Sequence, residues 1–190
     1  MIGVEPDPAI AVPEYFDEIH PCLFEHAESA PGSVDVAYSS FVLEHVECPK
    51  RFWEKLRTCL APGGVFWGFT VDARHPFAMS STLMGLARIK DFYLSRLHGR
   101  RGVDRYENYP TFYRANSPRR IARDTNGFAE ASALSMHRVG QLDYYVPKSM
   151  RSLMRTFERI SIRLGLPGSI LVVRLEKHPR EESLPCGACA

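Results

Sequence analysis

The 190-residue sequence has no run of about 18 uninterrupted apolar residues, so nothing in it reads as a membrane span. Its opening, MIGVEPDPAI, lacks the basic stretch followed by an apolar run that marks a secretory signal, so none is expected. Cysteine is sparse and irregular. The five cysteines, at 22, 48, 59, 186 and 189, argue against a disulfide framework and for reduced thiols in a cytoplasmic protein. The terminal PCGACA carries one C-x-x-C without a second pair to complete a zinc site, so no metal is expected, and 179–190 reads as a flexible tail. Internal repeats, linkers and low-complexity tracts are missing, which leaves 1–178 as a single domain. Glycine is also missing from one telling place: no G-x-G stands between a strand and a helix.

Lysine and arginine are wholly absent from residues 1–49, a segment that holds ten acidic residues. All 24 basic residues lie from Lys50 onward, so a net charge of +2 conceals an acidic first part and a basic remainder. With so small an overall excess, a nucleic-acid partner is disfavoured.

What is present has the pattern of an α/β domain. IGVE reads as the end of a buried strand, 9–19 as a weak helix interrupted by Pro13, and CLFEHA as a short strand. Val34, Val36 and Tyr38 alternate through a strand over 34–40. Pro49 opens a helix carrying Phe52, Trp53, Leu56 and Leu60 at helical spacing, APGG stops it, and VFWGFT is the next strand. Strand, helix, Pro-Gly-Gly, strand implies a parallel crossover. One long helix is expected over 76–97, a helix with Ser117 as N-cap at NSPRRIARDTNGF, a strand at FAEASALSMH, a helix over 148–164 and a last strand at SILVVRLEK.

The stretch VDVAYSSFVLEHVECPKRFWEKLRTCLAPGGVF resembles the class I S-adenosylmethionine-dependent methyltransferases, in particular the group acting mainly on small molecules. The resemblance rests on Asp35 opening a strand, the VLEHV segment at 42–46, the Pro49 helix and the Leu60-Ala61-Pro62-Gly63-Gly64 turn. It implies a Rossmann-like sheet of order 3-2-1-4-5-7-6, with a helical and loop insertion between its fifth and sixth strands. It also implies S-adenosylmethionine as cofactor and methyl transfer to a small acceptor. The family's first strand and its glycine-rich loop have no counterpart here. The chain is therefore expected to be an N-terminally truncated fragment, with a missing segment or a partner chain completing the sheet. A second reading is a methyltransferase-like remnant or partner subunit that binds no cofactor.

By the same resemblance Glu5 ends the second strand and takes both ribose hydroxyls, for which two carboxylate oxygens are suited. Ala27 and Glu28 stand beside the adenine, with His26 where an aspartate is usual. Ser39, Ser40 and Phe41 face the methionine part of the cofactor at the carboxyl end of a strand, where ligands of open α/β sheets bind. His45 is a candidate base or, equally, a packing histidine, and His75 is a second candidate base. Asp72 and Arg74 leave the next strand toward the acceptor. Residues 96–124 hold eight arginines and three acids among aromatic residues, so Tyr109, Tyr113 and Arg114 are candidates for an anionic or aromatic acceptor. A solvated basic face is the alternative for each arginine.

Overall fold

The computed structural model describes residues 1–8, 10, 11, 13–86, 88–98 and 110–179. Two short parallel strands, β1 (Ile2–Val4) and β2 (Glu18–His20), pair with each other alone. The main sheet contains β3 (Val34–Ser40), β4 (Leu60–Val71), β5 (Glu130–Met136) and β6 (Ile170–Glu176), in the order β3-β4-β6-β5. β3 runs parallel to β4, and β6 is antiparallel to both β4 and β5. Among the described residues no strand pairs with the outer edge of β3 or the second edge of β1.

The parallel crossover is made by α1 (Pro49–Cys59), with proline in its first turn where no backbone donor is lost. Its 3.6-residue period puts Phe52, Trp53, Leu56 and Cys59 on one buried stripe. That stripe packs with Ile121 of α4 (Pro118–Asp124) and with Phe128 on one face of the sheet, over Phe66, Leu171, Val173 and Leu175. The rings of Phe52 and Trp53 meet edge to face at 4.9 Å, and Trp53 meets Phe66 at 6.0 Å. Strand alternation sends Phe66, Gly68 and Thr70 to this covered face. The other face is bare: Val36 and Tyr38 are 69% and 65% exposed, and Trp67, Leu134 and Met136 accompany them.

The Pro-Gly-Gly turn lies inside β4. Gly63 has φ +75°, a conformation that favours glycine. A Cβ on Gly64 would stand 2.8 Å from the Ala61 carbonyl oxygen and 2.9 Å from that of Val34. Here β3 crosses β4 so closely that the ladder shifts register between Val34 and Val36.

Three expectations are corrected. CLFEHA is not a strand: His26 and Ala27 bond back to the carbonyls of Leu23 and Phe24, closing a 3-10 turn over Phe24–His26, and the strand falls earlier, at Glu18–His20. No helix forms in the described part of 9–19, which is consistent with Pro13 at its centre. The long helix is two, α2 (Pro76–Leu86) and α3 (Lys90–His98). Between them Arg88 takes φ +56° and its N–H bonds to Gly85, a reversal typical of a helix C-terminus. The last helix, α5 (Arg151–Arg163), follows a 3-10 turn at Lys148–Met150. Ser117 precedes α4 with extended φ, but its hydroxyl makes no capping bond. Residues 180–190 of the expected tail and residues 99–109 of the arginine-rich segment, Tyr109 among them, lie outside the described residues.

Gly64→Ala is expected to destabilise the fold by about 1–3 kcal/mol, because two backbone carbonyls cannot both yield to a methyl group. Urea unfolding should show a lower midpoint at unchanged slope.

Candidate active site

β3 ends in a sharp change of direction. Phe41 takes φ +54°, and its N–H donates to the Phe69 carbonyl at 2.7 Å, which holds the turn to β4. The chain then enters a 3-10 turn, Leu43–His45. Leu43 drops into the core, and Glu44 is carried inward with it.

Glu44 is 5% exposed. Its Oε2 accepts from the Thr70 hydroxyl at 2.5 Å, and Thr70 Oγ1 accepts from Asn116 Nδ2 at 2.6 Å. Asn116 also donates to the Val71 carbonyl at 3.1 Å. Burial pushes the Glu44 carboxyl above its ordinary range, opposed by the Thr70 bond and the charge of His45. The Glu44 carbonyl accepts two further bonds, from the N–H groups of Phe112 at 2.7 Å and Tyr113 at 3.2 Å. Tyr113 itself sits at φ +51° with Arg120 donating to its carbonyl at 2.5 Å.

Beside this cluster lies a cavity of about 680 Å3. Its walls include Phe41, Glu44 and His45 from the turn, His75 and Phe77 at the start of α2, Lys90 and Tyr93 of α3, Tyr113, and Tyr144, Tyr145 and Phe157. The Phe77 and Tyr145 rings meet tilted at 4.6 Å, and Tyr144 meets Tyr145 edge to face at 5.2 Å. Burial raises the Tyr113 and Tyr145 hydroxyls above the usual phenol range, and the charge of Glu44 raises both further.

The two histidines differ in which nitrogen holds the proton. His45 Nδ1 lies 2.6 Å from the Pro110 carbonyl, which can only accept, so the proton is on Nδ1 and the basic lone pair on Nε2. His75 is almost fully buried, and its Nδ1 accepts from the Phe77 N–H at 3.1 Å, so its proton is on Nε2. Burial, with His137 nearby, holds the His75 imidazole below its ordinary value despite the opposing charge of Asp72.

The remaining sequence candidates scatter. Asp72 is buried and accepts from the Arg74 backbone, Nε and Nη2 at 2.9, 3.0 and 2.7 Å, and from the Ser135 hydroxyl at 2.8 Å. Burial alone would raise this carboxyl, but those bonds and the Arg74 charge carry it below the ordinary range. Neither Asp72 nor Arg74 is in the cavity wall. Arg114 donates to the Glu47 carbonyl at 2.6 Å and lies over the Phe112 ring, also outside the wall, while Tyr109 lies outside the described residues. Glu5 is half-buried at the carboxyl end of β1 with Oε1 accepting from the Asp7 N–H at 2.9 Å. Ser39 has a buried hydroxyl with no partner among the described residues, whereas Ser40 is exposed. Ala27 and Glu28 line a different, open cavity with Ile2, Glu18 and Lys55, toward the amino ends of the strands. Glu44, Lys90, Tyr144 and Tyr145 were not singled out from sequence as site residues; VLEHV displayed Glu44, but nothing local marked its burial.

A family model described as a methyltransferase domain matches residues 9–68. Among solved structures, an S-adenosylmethionine-dependent methyltransferase from Archaeoglobus fulgidus is 10% identical with a TM-score of 0.53, covering 93% of this chain and 75% of that one. One from Mesorhizobium loti is 15% identical with a TM-score of 0.50, covering 93% and 80%. Phosphoethanolamine N-methyltransferase 2 from Haemonchus contortus, solved with phosphomonomethylethanolamine and S-adenosylhomocysteine, is 11% identical with a TM-score of 0.47; the present chain spans 86% of itself and 37% of that protein. No curated protein sequence matches the chain.

The raised Glu44 carboxyl has a consequence for stability. The folded chain keeps this proton to higher pH than the unfolded chain, so the stabilisation it carries is full below the ordinary glutamate range. It is lost as pH rises through the folded value. Urea unfolding of the native protein should therefore weaken with rising pH relative to Glu44→Gln, whose profile should be flatter across the same interval.

Proposed function

On the Rossmann-like fold that this chain shares with class I S-adenosylmethionine-dependent methyltransferases, we propose that it transfers a methyl group from S-adenosylmethionine to a small acceptor seated in the aromatic cavity. The observation that carries this reading is where the cavity lies. It meets Phe41 at the carboxyl end of β3, where ligands of open α/β sheets bind, with two imidazoles in the same wall.

The chain's own groups fit the cofactor at two points. Ser39 offers a buried hydroxyl without a partner among the described residues, and Glu5 at the end of β1 keeps a second carboxylate oxygen beyond the Asp7 bond. Glu5 would hold the ribose, and Ser39, Ser40 and Phe41 would line the methionine end. Ala27 and Glu28, on the opposite side of the strands, do not support the adenine role that the resemblance implies. The cofactor supplies the methyl on a sulfonium, and the displacement depends mainly on alignment. His45, which lines the cavity with Nδ1 held by the Pro110 carbonyl, is the base in this reading. His75 presents an N–H and serves to orient the acceptor.

The unpaired edges of β1 and β3, with the bare face beside Val36 and Tyr38, fit completion of the sheet by one further parallel strand. That strand would come from an additional segment or a second polypeptide.

Calorimetric titration with S-adenosylhomocysteine tests the cofactor assignment. Binding is expected, and Glu5→Ala should weaken it about 10-fold or more, the loss of a charge-assisted hydrogen bond. A folded chain that binds no S-adenosylhomocysteine would sink the methyl-transfer reading.

A further inference from the structure

We propose that the acceptor cavity selects a small amine, its positively charged nitrogen held against the Glu44 carboxylate between Tyr113 and Tyr145, its apolar part lying along Phe41, Phe77 and Phe157. This rests on the assignment of the cavity to the methyl acceptor.

Among the described residues of the wall, Glu44 is the one aspartate or glutamate, lying deep and fixed by the Thr70 hydroxyl. Lys90 is the one lysine or arginine among them, half-buried, with Nζ donating to Thr111 Oγ1 at 3.3 Å. The charge of His45 acts on the Glu44 carboxyl and opposes the effect of burial. Three arginines near the site are directed elsewhere: Arg74 to Asp72, Arg114 to the Glu47 carbonyl and Arg120 to the Tyr113 carbonyl. An anionic acceptor would thus meet a carboxylate and phenol hydroxyls at depth, with no guanidinium among the described wall residues to receive it.

A cation meets complementary groups at the same place. Burial makes the Glu44 charge costly, and the Tyr113 and Tyr145 hydroxyls are raised by that charge as well as by burial, so the three acids share one neighbourhood. A cation entering there relieves the carboxylate directly, and the surrounding rings add attraction through their faces. The aromatic wall is held by ring contacts of its own, so it is shaped before a ligand arrives. The pairing also prepares the acceptor. An ammonium that passes one proton to the Glu44 carboxylate becomes a neutral amine with a free electron pair, and Glu44 becomes a carboxylic acid. The proton and the charge balance within the pair, and the amine is left in the form able to accept a methyl group.

The test uses three ligands with the same phenol ring and different charge: tyramine, tyrosol and 4-hydroxyphenylacetate, titrated calorimetrically into the native chain. Tyramine is expected to bind about 10-fold or more tightly than tyrosol, and 4-hydroxyphenylacetate weakest, because only the amine gains a charge-assisted hydrogen bond. Glu44→Gln should abolish the tyramine preference while leaving tyrosol binding nearly unchanged. Equal or tighter binding of the alcohol or the acid overturns the proposal, as does a preference that survives Glu44→Gln, or no binding by any of the three. The native-chain series decides the matter even if the variant fails to fold. Titration with S-adenosylhomocysteine separates the two ideas. A chain that binds it without preferring the amine loses only this inference; an amine preference without S-adenosylhomocysteine binding removes methyl transfer and leaves an amine site.

Discussion

Glu44 is the junction on which the site depends. Its side chain reaches Thr70 on β4 and, through that hydroxyl, Asn116 just ahead of α4. Its carbonyl takes the N–H groups of Phe112 and Tyr113. One residue thus ties the turn after β3, the sheet and the incoming segment of the basic region into a single geometry. A carboxyl this deeply buried is tolerated only because it is hydrogen-bonded and can hold its proton. Remove the hydroxyl of Thr70 and both Glu44 and Asn116 lose a partner within a low-dielectric interior, where unmet polar groups are most costly. The position of Tyr113 follows from the same knot, since its left-handed backbone is held by Glu44 at its N–H and Arg120 at its carbonyl.

The sheet itself is stable for a different reason on each side. Toward β5 the long antiparallel pairing of β4, β6 and β5 gives continuous ladders and carries the aliphatic side chains of β6 into the core. Toward β3 the sheet ends in an edge whose outward groups have no strand partner among the described residues, while β1 and β2 form a separate pair. Two strands alone are marginal in water, and a parallel edge usually has a neighbour. The exposed apolar face, from Val36 and Tyr38 to Leu134 and Met136, also lacks a covering layer among the described residues. The opposite face differs, because residues of α1 and α4 pack there with Phe66, Leu171, Val173 and Leu175.

What could be read in advance was what local pattern encodes. The strand over Val34–Ser40, the Pro49 helix, the Pro-Gly-Gly reversal and the β6 strand each follow from spacing or backbone constraints within a dozen residues. CLFEHA misled because its apolar content suits a strand, whereas two backbone bonds close it into a turn. The single helix over 76–97 misled because apolar spacing continues across a break made by backbone geometry at Arg88. The arginines were visible as composition, but composition cannot say where a side chain points, and Arg114 and Arg120 are engaged with backbone carbonyls. Glu44 was in plain view beside His45. Its role depends on Thr70 and Asn116, 26 and 46 residues away from their respective partners in the chain.

The two histidines show how much of the chemistry rests on such distant partners. Sequence offers His45 as a candidate base or, equally, a packing histidine, and His75 as a second candidate base. A carbonyl acceptor at Pro110 fixes the proton of His45 on Nδ1, while a backbone donor at Phe77 fixes that of His75 on Nε2. The first ring therefore offers a lone pair at its other nitrogen and the second offers an N–H. Burial makes the second ring harder to protonate still, so drawing a proton from an acceptor would work against its environment. In the proposed reading His45 and Glu44, adjacent in one turn, are the proton-accepting pair of the cavity wall, and His75 in the same wall is the neutral donor.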